Sequence, residues 1–121
     1  MRVYSLFHGM FTVEIYWDGV PITVSNCIDL AKTGFYEGVH FHCVIPGFMD
    51  QFGCFHAGDP NSRWAGICGP RDGILTNLKT GGTERTSNGG NIQDENISRD
   101  TSAPGTLSMA NIARVLSFVS L

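Results

Sequence analysis

The chain has few charged residues, and neither sign of charge is concentrated in a run. Of its 121 residues, 8 are Lys or Arg and 11 are Asp or Glu, which gives a formal net charge of −3. A surface that follows a phosphate backbone needs clustered Lys and Arg. We therefore expect no nucleic-acid partner.

Long apolar stretches are also missing. No run reaches the roughly 18 apolar residues of a membrane-spanning helix, and the amino-terminal segment interrupts its apolar pattern at His8, Gly9 and Glu14. A secretory signal needs an unbroken apolar centre. The sequence therefore predicts a soluble, cytoplasmic protein with no membrane partner.

Cysteine pairs of the C-x-x-C type are absent. The chain has four cysteines, Cys27, Cys43, Cys54 and Cys68. Free thiols are expected, because disulfides are rare in the reducing cytoplasm. Cys54 and His56, with His42 and Cys43 nearby in sequence, supply enough ligands for zinc or copper, but their spacing is unlike that of structural zinc sites. We expect no metal and no other cofactor.

The composition is that of one globular domain, with 42% hydrophobic residues. Two β-rich runs, residues 2–6 and 11–16, are separated by a His-Gly pair and predict an antiparallel hairpin. Pro21 suits the first position of a helix, and apolar residues at helical spacing follow it until Gly34. A hairpin followed by one amphipathic helix is expected.

The remaining pattern is irregular. Two more strands are predicted at residues 39–45 and 48–52, divided by a Pro-Gly turn. Residues 53–90 are rich in Gly, Pro, Asn, Asp, Ser and Thr, which predicts a long loop. Residues 105–109 predict a short buried strand, and residues 112–121 fit no element. This order favours an antiparallel barrel or an α+β arrangement.

Aromatic and thioether side chains cluster in the predicted strand pair. They are Phe41, Phe48, Met49 and Phe52. Such a set can line an apolar pocket, with His42 and Gln51 as polar groups at its edge. It can also form the core of a strand pair, which is the commoner use of Phe and Met. The residues alone leave both interpretations open.

Five sequence blocks carry a resemblance to a known family. They are FTVEIY at 11–16, PITVSN at 21–26, GFYEGVHFH at 34–42, VIPGFMDQFG at 44–53 and PGTLSMAN at 104–111. In this order they resemble the blocks of cyclophilin-type peptidyl-prolyl cis-trans isomerases. The resemblance implies a mainly β fold, an antiparallel barrel with helices, here incomplete. The partial domain would span residues 1–111, and residues 112–121 would form an unrelated apolar tail.

The resemblance also implies an activity and a set of roles. Family members bind a prolyl peptide in a surface groove and rotate the bond before proline, without a cofactor. The matching positions are Phe48 and Met49 for the proline pocket, Gln51 for the peptide backbone, His42 for the rim of the groove, and Ala110 with Asn111 for the residue before proline. The implied partners are proline-containing client proteins, and no feature sets the oligomeric state.

Cys43 departs from the family pattern. Cyclophilins usually carry Arg at this FHxV position, where the guanidinium can donate to the prolyl nitrogen as the amide twists. A thiol is a weak donor without a fixed charge, and losing one such stabiliser typically costs on the order of a hundredfold in rate. We expect a peptidyl-prolyl isomerase of reduced activity. The alternative is a non-catalytic relative that binds proline-containing segments or does not fold stably.

Overall fold

The computed structural model describes residues 2–6, 9–66, 70, 72–86, 90–95, 103–109 and 116–118. Within them lie eight strands, one α-helix and one short 3₁₀ helix. In chain order these are β1 Arg2–Leu6, β2 Gly9–Thr12, α1 Pro21–Lys32, β3 Cys43–Ile45, β4 Met49–Phe52, the 3₁₀ helix Phe55–Gly58, β5 Ile74–Thr76, β6 Thr83–Arg85, β7 Leu107–Met109 and β8 Leu116–Phe118. The expected mainly β character with one helix is confirmed.

The amino-terminal hairpin is confirmed, with a shifted second strand. β1 and β2 pair antiparallel, and Leu6 lies opposite Gly9. β2 ends at Thr12, although the apolar alternation of the sequence continues to Tyr16. Residues 13–16 keep alternating exposure without ladder pairing, so one-sided packing rather than strand pairing accounts for that part of the pattern.

The start of α1 is stabilised from a distant part of the chain. Pro21 occupies the first turn, as predicted, but the N-cap residue Val20 has no side chain that can cap. The carboxylate of Glu95 accepts hydrogen bonds from the backbone N–H of Ile22 at 3.0 Å and of Thr23 at 2.7 Å. A carboxylate at this end also complements the helix dipole. Glu95 therefore pairs with the N–H groups of the first helical turn that an N-cap side chain normally binds.

The largest sheet has the strand order β3-β4-β8-β7, and all its pairings are antiparallel. Gly47 takes a φ of +71° between β3 and β4, and the Phe48 N–H donates to the Ile45 carbonyl at 3.0 Å. This is the tight Pro-Gly turn that the sequence predicts. β8 falls within residues 112–121, to which the sequence assigned no element, and lies between β4 and β7.

The strands of the described residues form three separate sheets and do not close into a barrel. Besides the four-stranded sheet there are two pairs, β1-β2 and β5-β6. Among the same residues, no helix has the length and apolar character needed to span a bilayer.

The prediction of a long loop over residues 53–90 is wrong in part. β5 and β6 form an antiparallel hairpin that packs on α1, with Leu75 buried at the contact. The hydroxyl of Ser25 accepts from the Leu78 N–H at 2.9 Å and donates to the Pro21 carbonyl at 2.7 Å. Strands of three residues are too short to show an alternating pattern, so the sequence did not reveal them.

The prediction of free thiols is wrong for Cys54. Cys27 and Cys43 form no disulfide, but Cys54 is disulfide-bonded and fully buried. It forms a small core with Ala57, and Val39 packs against both. Since sequence spacing does not determine which cysteines approach one another, only the fold could show this pairing.

Candidate functional site: one face of the β3–β4 hairpin

The pairing of β3 with β4 brings three of the predicted site residues together. Cys43 lies directly opposite Gln51, and Ile45 lies opposite Met49. Because side chains alternate along a strand, these four residues share one face of the hairpin, and directly opposed side chains lie about 5 Å apart at Cβ. Cys43, Met49 and Gln51 therefore line a common surface.

The polar groups of this face belong to Gln51 and Cys43. The side-chain N–H of Gln51 points along the strand toward the Met49 sulfur, at 3.8 Å. A thioether is a weak acceptor, so this contact is easily exchanged for one to a peptide carbonyl. Neither residue brings a fixed charge. The face is suited to holding an apolar ring beside one peptide group.

Phe48 is exposed at the end of the hairpin. It is the last residue of the turn between β3 and β4, and 59% of its surface is exposed. Phe52, four residues later, is 4% exposed, with its ring 5.1 Å from that of Phe41. Of the two interpretations that the sequence left open, core packing holds for Phe52 and Phe41, whereas Phe48 is available at the surface.

His42 lies at the entrance to β3. It is at a bend directly before Cys43, and its backbone N–H donates to the carbonyl of Gln51, the residue opposite Cys43, at 3.0 Å. The imidazole contacts Gly66, and both ring nitrogens are buried with no hydrogen-bond partner in the described part of the chain. Burial lowers the pKa of His42, and the neighbouring His40 lowers it further.

Two predicted site residues, Ala110 and Asn111, lie outside the described residues.

The sequence offers four possible metal ligands, Cys54, His56, His42 and Cys43. The described residues contain no group of three or more His, Cys, Asp or Glu side chains that could hold a metal ion. Cys54 is oxidised and so is no thiolate ligand.

Sequence reasoning missed Ile45 and Ser108. Ile45 is part of the face with Cys43 and Met49, and the two-residue period of a strand would have found it. Ser108 occupies the same row of the sheet through the pairings of Gln51 with Ser117 and of Ser117 with Ser108. No local signal shows this, because the row exists only once β7 and β8 are placed beside β4.

Comparison with known proteins gives one consistent result. The family model described as cyclophilin type peptidyl-prolyl cis-trans isomerase/CLD matches residues 1–118. Peptidyl-prolyl cis-trans isomerase B of Bacillus subtilis is 38% identical over 88 residues, which cover 73% of this chain and 55% of that protein. The chain therefore spans about half the length of this relative. No solved structure matches it.

Shorter stretches match other proteins. A peptidyl-prolyl cis-trans isomerase of Helicobacter pylori is 50% identical over 46 residues, which cover 38% of this chain and 28% of that protein. Peptidyl-prolyl cis-trans isomerase-like 1 of Rhizopus delemar is 43% identical over 58 residues, which cover 48% and 32% of the two chains. Each of these matches concerns a protein longer than this one.

Proposed function

Because this chain belongs to the cyclophilin-type peptidyl-prolyl cis-trans isomerase family, we propose that it accelerates the cis/trans exchange of X-Pro bonds in client proteins, at a reduced rate. The observation that carries the proposal is the shared face of Cys43, Met49 and Gln51, with Phe48 exposed in the adjoining turn. That face offers an apolar surface for a prolyl ring beside one amide that can bind the peptide backbone.

The proposed mechanism requires no covalent step. The barrier to rotation about a peptide bond is about 20 kcal/mol because rotation breaks the conjugation of the amide. Met49, Ile45 and Phe48 would hold the prolyl ring and exclude water, and the Gln51 amide would hold a backbone carbonyl. Fixing one side of the bond lets the other side rotate, and contacts made only in the twisted state lower the barrier.

Cys43 supports a second candidate function, the binding of proline-containing segments without catalysis. Where family members usually present a guanidinium, this chain has a free and partly exposed thiol. A thiol cannot supply the charge-assisted hydrogen bond that a twisted prolyl nitrogen would accept. The same face then binds the ground state and the twisted state about equally, which gives affinity without rate acceleration.

The experiment that tests the proposal is an isomerisation assay by NMR exchange on an X-Pro peptide, with the chain and its Cys43→Arg variant. We expect weak acceleration by the natural chain and a kcat/KM about a hundredfold higher for Cys43→Arg. The Cys43→Ser variant is the matched control, because it keeps a small polar side chain without charge. It should behave like the natural chain.

The outcomes separate the candidates. If the natural chain and the Cys43→Arg variant both bind the peptide and neither accelerates its isomerisation, only the binding function is supported. Neither binding nor acceleration, in a protein that melts cooperatively, would overturn both. Gln51→Ala should weaken peptide binding in either case, since it removes the amide of the shared face.

Three finer predictions stay proposals. Closure into a barrel is supported by the uniformly antiparallel pairing of β3, β4, β8 and β7. The division at residue 111 stays a prediction, supported by the end of the last family-like block at Asn111. A cytoplasmic location also stays a proposal; the thiols of Cys27 and Cys43, which are in no disulfide, are compatible with a reducing compartment, and cell fractionation would test it.

A further inference from the structure

A surface cleft lies away from the β3–β4 face, between the end of α1 and the 3₁₀ helix. Its volume is about 480 Å³. One wall is the turn that follows α1, the other is the 3₁₀ helix, and the residues that matter here are Gly34, Phe35, Glu37, Val39, Phe55 and Gly58. No part of the proposed isomerase mechanism uses this cleft.

The cleft is held open by the fold. Val39 packs on the buried residues Cys54 and Ala57. The backbone N–H of His40 donates to the Ala57 carbonyl at 2.9 Å, which ties the segment after the turn to the 3₁₀ helix. Since both walls are fixed to this small core, a ligand would not have to create the cleft.

A carboxylate lies at one wall. Gly34 has a φ of +76°, and a Cβ placed on it would lie 3.3 Å from the Glu37 side-chain carbon Cδ. The Glu37 carboxyl group therefore covers the glycine that ends the helix. In the part of the chain that the structure describes, this carboxylate has neither an ion pair nor a hydrogen bond.

An aromatic ring lies at the opposite wall. Phe55 is 64% exposed, and its only described ring neighbour is His56, edge-on at 5.7 Å between centroids. The carboxyl-terminal end of α1 faces the same space at Thr33 and adds partial negative charge. Lys32, in the last turn, is exposed but does not line the cleft. Carboxylate, ring and helix end each favour a cation.

We propose that this cleft binds the side chain of an arginine from a partner protein. A guanidinium pairs with a carboxylate in a planar, bidentate geometry and stacks on an aromatic face at the same time. Its apolar stem can lie along Val39 and Phe35, with the charged end at Glu37. Charge complementarity with Glu37 selects a cationic side chain, and the combination of a carboxylate with an exposed ring favours the planar guanidinium of arginine over the ammonium of lysine.

The test uses a short peptide that contains one arginine and no proline, titrated into the isotope-labelled chain and followed by NMR. Chemical shift changes should concentrate at Gly34, Phe35 and Gly58. The matched probe replaces arginine with citrulline, which keeps the shape and removes the charge, and it should bind about two- to fivefold more weakly. Because the peptides lack proline, a failure here leaves the proposed isomerase function untouched.

Variants locate the binding. Glu37→Gln and Phe55→Leu should each weaken the arginine peptide about two- to fivefold. Glu14→Gln, an exposed carboxylate elsewhere, should leave the affinity unchanged, and thermal melts of all three variants check that each is folded. Equal binding of the citrulline peptide, or binding insensitive to Glu37→Gln, would overturn the proposal. Tighter binding of a norleucine peptide would make the cleft an apolar site instead.

Discussion

His42 holds an ionisable ring in a place that suits only its neutral form. Both ring nitrogens are buried, and neither has a hydrogen-bond partner among the described residues. Gly66, with a φ of +89°, packs so closely that a Cβ there would lie 2.9 Å from the imidazole. Protonation would place a positive charge and a second N–H donor at a buried site with no described acceptor. Burial therefore lowers the pKa of His42.

This arrangement predicts a loss of stability in mild acid. The unfolded chain binds a proton at His42 near pH 6.5, whereas the folded chain binds it only at lower pH. The free energy of unfolding should therefore be highest above pH 6.5 and fall as the pH drops through that value. Urea titrations at pH 7.5 and at pH 5.0 measure the difference, and His42→Leu should reduce it.

His56→Leu is the control for that measurement, since His56 is exposed. It should keep the pH dependence of the natural chain. If His42→Leu keeps that dependence as well, the buried imidazole is not its source.

Glu95 predicts a second effect at a single residue. Its carboxylate accepts from the backbone N–H groups of Ile22 and Thr23, which are otherwise unpaired donors of the first helical turn. Glu95→Ala should lower the free energy of unfolding by about 1–2 kcal/mol, the usual loss when a helix cap is removed. Asp94→Ala, at an exposed neighbouring carboxylate, should cost much less in the same denaturant titration. Equal losses would show that Glu95 acts only through general charge.

At the scale of elements, the β5–β6 hairpin is closed at its base. The Gly90 N–H donates to the Asp72 carboxylate at 2.7 Å, and Pro70 lies directly against Gly90. Gly90 has a φ of +86°, and a Cβ on it would come within 2.5 Å of the Pro70 ring and 2.6 Å of the Pro70 carbonyl oxygen. The hairpin leaves the body of the fold and returns to it at one point.

Alanine substitutions at two glycines, one in the turn of this hairpin and one at its base, distinguish the cost of backbone strain from the cost of steric overlap. Gly81 also has a positive φ, +72°, but a Cβ there meets nothing within 4 Å. Gly81→Ala should cost about 1–2 kcal/mol for the left-handed backbone alone. Gly90→Ala should cost clearly more, because it adds overlap with the Pro70 backbone. Thermal melts compare the stability of the two variants. Equal losses of stability would show that the base of the hairpin adjusts to the added methyl group without further cost.

Local signals predicted some elements and not others. Pro21 and Gly34 mark the ends of α1, and the Pro-Gly pair marks the turn between β3 and β4, because each acts through its own backbone conformation. The family resemblance pointed to Cys43 and Gln51 one position at a time, but their shared face depends on the register of β3 with β4, which only the fold shows. The cap from Glu95 could not be predicted, since it depends on a contact between residues 73 apart in sequence.

At the scale of the whole molecule, the four-stranded sheet has an apolar edge. β3 is an outer strand within the described residues, with Val44 60% and Ile45 40% exposed. Exposed apolar strands at a sheet edge favour pairing with another chain. We therefore expect concentration-dependent self-association, measured by sedimentation velocity.

Val44→Lys tests this edge. A lysine on an outer strand opposes edge-to-edge pairing and removes no buried contact, because Val44 is already exposed. Association should weaken strongly. Thr83→Lys, which adds the same charge at an exposed position of β6, should leave it nearly unchanged. A natural chain that sediments as a monomer at every concentration would contradict the expectation.

The contact between Glu95 and the start of α1 also has a consequence during synthesis. A helix of 12 residues is marginal alone in water, and the carboxylate that completes this one emerges 73 residues after Ile22. At roughly 5–20 residues per second, ribosomes take about 4–15 s to add that carboxylate. For that interval the first turn of the nascent helix has no Glu95 carboxylate to accept from the N–H groups of Ile22 and Thr23.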